Sequence, residues 1–160
     1  MSGFAEWLQH SALSQLLEPG ASWIIPLFQM IHILSIAVVI SSMIMVNGRL
    51  IHASMVNQSV PEIMHRFLPW MWIGLAVLLL TGSTLIVMEP GRTLGKTIFW
   101  MKMSAIVLGV LMTASLQRDV MRRPEHWTGE VLRPAVAWVA GINMLLWVFI
   151  IFAGRWIAYT

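Results

Sequence analysis

The sequence predicts an all-α protein, a four-transmembrane-helix bundle preceded by an N-terminal interfacial amphipathic helix. Three observations lead there. Hydrophobic residues make up 58% of the 160 residues and charged residues only 11%, with a mean hydropathy of +0.78. That leaves too little polar material to cover the surface of a water-soluble fold. Four apolar stretches each approach the roughly 20 residues that cross a hydrocarbon core of about 30 Å. Trp23, Trp70, Trp72, Trp100, Trp138 and Trp156 stand near the ends of those stretches, where amphipathic rings settle at headgroup level. The chain, 1–160, reads as a single integral membrane domain.

Taken in order, the first element is an amphipathic helix over 3–18. Phe4, Trp7, Leu8, Leu13, Leu16 and Leu17 recur at helical spacing between polar residues, which suits a helix lying in the interface. Pro19 and Gly20 end it. The segment has Glu6 and Glu18 and lacks the basic start of a cleavable signal peptide, so it is expected to be retained. The spans follow at about 23–46, 70–87, 97–116 and 135–157. The second helix is expected to begin before its span, because Ser59-Val60-Pro61-Glu62 has capping-box spacing with proline in the first turn. Pro69 is a candidate kink.

The face that carries the first and third loops holds Arg49, Arg66, Arg118, Arg122, Arg123 and Arg133, and the other holds Arg92, Lys96, Lys102 and Arg155. The positive-inside rule then puts the first face in the cytoplasm and both termini in the periplasm, with the chain in the bacterial inner membrane. Ala105 with Gly109, and Ala137 with Gly141, have the four-residue spacing that lets helices approach closely, within the bundle or at a homo-oligomer contact. Gly74 and Gly82 on the second helix are either ordinary membrane-helix glycines or room for a flat ligand.

The composition also excludes. With no cysteine, there are no disulfides, thiolate metal sites or cysteine nucleophiles. A net charge of +3 without a dense basic stripe argues against nucleic acid as a partner. No serine triad, span carboxylate pair, phosphate loop or zinc motif marks an enzyme. Whether the protein is an enzyme stays open.

Two ionisable residues fall within the spans, His32 and Lys102, and such residues are functional-site candidates by default. Counting along each helix places His32 about 13 Å and Lys102 about 8 Å from the same membrane face, so the depths read as similar. His32, flanked by Phe28, Ile33 and Leu34, has the nitrogen and apolar surroundings that haem iron requires. No second histidine shares its depth, so the sixth ligand would be Lys102, Met103 or Met30, or absent. The bland alternatives are a histidine hydrogen-bonded to a polar neighbour and a lysine that snorkels to the interface.

His52, His65 and His126 gather at the opposite end, and His10 lies outside the spans; they read as solvated surface residues ahead of a second metal site. The 13 methionines raise copper, since thioethers suit Cu(I). Met43 with Met45 and Met101 with Met103 alternate around a helix instead of converging, so flexible apolar filler is the better reading.

The stretch Trp23-Ile24-Ile25-Pro26, Gln29-Met30-Ile31-His32 and Asn47-Gly48-Arg49-Leu50 resembles an uncharacterised bacterial family of four-helix membrane proteins. That family carries Trp-x-x-Pro, Glu-x-x-His and Asp-Leu-Arg-Leu in turn. Both acidic positions are amides here. More distantly, the layout is similar to HemJ-type protoporphyrinogen oxidases and to copper-resistance membrane proteins. The former bind haem b through a first-helix histidine and carry a third-helix lysine in Trp-x-x-Lys-Leu; Trp100-Met101-Lys102-Met103 is one residue shorter. Arg49-Leu50-Ile51-His52 is similar to their Arg-Leu-x-x-x-His but two residues shorter. The resemblance, which reaches Leu116, implies haem b on His32 with Lys102 as a sixth ligand. Two readings follow. One is a haem b-binding electron-transfer protein serving a quinone or a redox partner protein, or a porphyrin-like substrate. The other is a copper or small-solute permease, or a structural subunit of a membrane oligomer.

Overall fold

The computed structural model describes residues 21–51, 57–88, 90, 94–127 and 134–157. The expected interfacial helix over 3–18 lies outside them, as do His10 and His52. Within them the chain is all-helical: α1 (Ala21–Leu50), α2 (Val60–Met88), α3 (Thr97–Arg122), a 3-10 turn (Pro124–Trp127) and α4 (Pro134–Trp156). Each long helix exceeds the roughly 30 Å of a hydrocarbon core at the helical rise. All four are apolar enough to cross it. This is a multi-pass membrane protein.

The helices outrun the apolar spans at one end, because their last turns hold polar residues that need no lipid. α2 begins ten residues before Trp70, at Val60. There the Ser59 N–H donates to Glu62 Oε2 at 3.4 Å, the reciprocal half of a capping box. Pro26 and Pro69 both sit inside continuous helices; tertiary neighbours and local adjustment make such prolines tolerable in membranes.

α1 packs most closely on α2 and α3 on α4; α1 also meets α4, and α2 touches α3 only lightly. The architecture is therefore two antiparallel helix hairpins laid together. Gly74 sets the approach of the first hairpin. A Cβ there would lie 2.8 Å from Val39 Cγ2 and 3.5 Å from the Ser35 carbonyl, so Gly74 is filled by α1 and leaves no room for a ligand. In the second hairpin a Cβ on Gly109 would meet the Trp147 ring at 3.4 Å, whereas Gly141 faces open space. Close packing of α3 on α4 thus rests on a glycine against a tryptophan.

We refer to the end bearing the start of α1 and the finish of α4 as the terminal end, and to the other as the loop end. The buried apolar core is concentrated toward the loop end, where Met43, Leu50, Ile63, Met64, Leu68 and Met71 are almost fully enclosed. Toward the terminal end, α1 turns Trp23, Met30, Ile33 and Leu34 outward, as lipid contact requires. Trp23, Trp70, Trp100, Trp138 and Trp156 are exposed, consistent with rings at the two interfaces. Trp72 instead turns inward, and its Nε1 donates to Gln117 Oε1 at 3.0 Å, tying α2 to α3.

Candidate polar site in the terminal half of the bundle

His32 is half-buried on α1, and its Nδ1 lies 2.7 Å from Thr81 Oγ1 on α2. Thr81 is buried, and its hydroxyl contacts the Val77 carbonyl at 2.8 Å. A carbonyl only accepts, so with the single hydroxyl proton on Val77 the hydroxyl accepts from His32 Nδ1–H, and with that proton on His32 the ring Nδ1 is the acceptor. In the first arrangement the neutral ring carries its lone pair on Nε2, which has no hydrogen-bond partner among the described residues. At the Cε1 edge of the ring lies Gly82, where an added Cβ would stand 3.4 Å from His32 Cε1. A larger residue at 82 would crowd the imidazole.

Lys102 also faces the interior, but another helix receives it. Its Nζ lies 3.2 Å from where a Gly154 Cβ would stand on α4. The packing brings His32 to Thr81 on α2 and Lys102 to Gly154 on α4.

Among the other candidates, Met103 is half-buried on α3, and Met30 is 53% exposed on the outer side of α1. Met30 stands two positions, or about 200° around the helix, from His32, so the fold does not bring them together. His65 is exposed at the loop end and His126 belongs to the 3-10 turn. Among the described residues no group of three or more His, Cys, Asp or Glu could hold a metal ion.

Three polar groups escaped the sequence reading. Asn143 Nδ2 donates to Thr113 Oγ1 at 3.1 Å, joining α4 to α3 in the interior, while Asn143 Oδ1 and Trp147 Nε1 are buried without partners. Lys102, Gly109, Thr113 and Gln117 follow at intervals of seven, four and four, which aligns them on one face of α3. That spacing was the signal available. It is masked because only Lys102 is charged.

The chain matches the Family of unknown function (DUF6644) over residues 4–160. It belongs to that family. Neither the curated proteins nor the solved structures contain a match, so membership brings no chemistry with it, and the site's residues carry the functional argument.

Proposed function

We propose that this DUF6644 member is a haem b-binding membrane protein with an electron-transfer role, His32 being an axial ligand through Nε2. The observation that supports it is the His32–Thr81–Val77 set of contacts, which engages Nδ1 and leaves Nε2 without a hydrogen-bond partner among the described residues. Metal-bound histidines characteristically donate the other ring N–H to a fixed acceptor, which orients the ring and raises its basicity. The donor set fits the group: an imidazole held through Nδ1, a glycine against its edge, and apolar helices around it. When bound, haem would supply a one-electron centre in the membrane.

Thr81 holds the imidazole and α1 and α2 keep water from it. Lys102, which meets Gly154 on α4, would ligate the iron or pair with a haem carboxylate, and Met103 is the half-buried α3 alternative for a sixth ligand. The reading extends to the bacterial inner membrane, both termini periplasmic by the arginine distribution, a homo-oligomer, and a quinone or redox protein as electron partner.

The experiment is the absorption spectrum of purified protein with metal analysis. A reducible Soret and alpha band in wild type, lost in His32→Ala and kept in His65→Ala, is the expected result. A colourless, iron-free wild type would move the assignment to a copper or small-solute permease or a structural subunit, with copper content separating those. Cysteine at Thr160 should react with an impermeant reagent in intact cells; labelling only after lysis would reverse the orientation.

A further inference from the structure

Asn143 and Trp147 stand one turn apart on α4 and are 2% and 3% exposed. Residues four apart share a helix face, and this face meets α3. Asn143 Nδ2 donates to Thr113 Oγ1 at 3.1 Å, and the Trp147 ring lies against Gly109. Each side chain keeps one buried polar atom that has no hydrogen-bond partner among the described residues: Asn143 Oδ1, an acceptor, and Trp147 Nε1, whose N–H is a donor. Nine positions separate Pro134 from Asn143 and nine separate Trp147 from Trp156. The pair is therefore centred in α4, about 13 Å from either end, where an unmet polar group is costly.

The chemistry of the two atoms says what would satisfy both. A cation suits the amide oxygen and is repelled by the indole N–H; an anion suits the N–H and is repelled by the oxygen. A ligand that accepts one hydrogen bond and donates another suits the two together, and the enclosure of both side chains requires it to be small. Water meets these terms, and buried waters characteristically sit where protein polar groups lack other partners.

We propose that Asn143 and Trp147 hold a single internal water, which accepts from Trp147 Nε1–H and donates to Asn143 Oδ1. Asn143 in turn donates to Thr113, whose hydroxyl donates to the Gly109 carbonyl at 2.8 Å. The water thus completes one chain of hydrogen bonds, every donor running the same way from α4 into α3, and such chains reinforce one another away from bulk solvent. It joins the second hairpin at the level where glycine otherwise packs on tryptophan. The site is apart from His32 and does not depend on the haem reading.

The test is proton-detected solid-state NMR of the full chain in lipid bilayers, reading magnetisation transfer from water to the Trp147 indole N–H and to the Asn143 side-chain amide. Trp147→Phe and Asn143→Leu identify each signal by its disappearance. Wild type should show transfer to both groups. Trp147→Phe keeps a ring against Gly109 and removes the donor, so transfer to the Asn143 amide should fall about five- to tenfold, the scale of one hydrogen bond. Asn143→Leu should lower transfer to the Trp147 N–H by a similar factor, and serves if the phenylalanine variant does not fold. Absence of transfer to the Trp147 N–H in wild type overturns the proposal, including the case in which that proton contacts Asn143 Oδ1 directly. So does transfer to either group that substitution of the other leaves unchanged, because the water is then not shared.

Discussion

The Nδ1 of His32 on α1 shares a hydrogen bond of 2.7 Å with the hydroxyl of Thr81, 49 positions away on α2. The same hydroxyl meets the Val77 carbonyl at 2.8 Å, so Nδ1 is held and the second ring nitrogen has no partner among the described residues. In hydrocarbon, a polar side chain that finds such a partner avoids the several kcal/mol or so that an unsatisfied group costs.

Thr81→Val keeps the shape of the side chain and removes the acceptor. The expected outcome is a protein that still inserts, with haem affinity lowered about 10- to 100-fold, as for other partners of metal-bound histidines. Thr81→Ser restores the hydroxyl and should recover most of it. Haem titration followed at the Soret band makes the comparison; equal affinities for the valine and wild-type proteins would remove Thr81 from the site.

Gly74→Ala forces a Cβ to 2.8 Å from Val39 Cγ2. Valine is stiff at χ1, so the hairpin must shift, at a cost of about 1–3 kcal/mol. Gly141→Ala, with open space around it, should be neutral or gain up to about 1 kcal/mol in helix propensity. Unfolding in mixed detergent measures both. Val39→Ala should relieve the Gly74→Ala defect, and a double variant no better than Gly74→Ala alone would show that the clash lies elsewhere.

Thr113→Val removes the acceptor for Asn143 Nδ2, leaving a buried amide whose oxygen already lacks a partner. A loss of about 1–2 kcal/mol is expected. Asn143→Leu removes the orphaned group, so the double variant should be more stable than Thr113→Val alone. Additive losses in the double-mutant cycle would mean that the two side chains do not interact.

Lys102→Met removes the charge beside Gly154 while keeping an unbranched stem. If the amine pairs with haem carboxylates, occupancy falls and the band positions stay. A shifted alpha band with a new ligand-field signature in electron paramagnetic resonance would instead make the amine an iron ligand.

The four membrane helices were legible in the sequence because hydropathy and span length are properties of each segment alone, and in lipid a spanning segment must satisfy its own backbone. The start of α2 was legible for a similar reason: Ser59 and Glu62 are near neighbours whose cap is local. His32 stood out because an imidazole in an apolar run is visible without knowing what surrounds it. Its partner was not visible, since threonine is common in membrane helices, and only the register of α1 on α2, fixed where Val39 meets Gly74, brings Thr81 to His32. The same kind of packing carried Lys102 to α4, left Asn143 facing Thr113 and enclosed Arg49 beside Gln58. Composition and periodicity specify which surfaces leave water. Which side chains then meet depends on how far one helix slides along the next, and that is settled by close contacts between residues far apart in the chain.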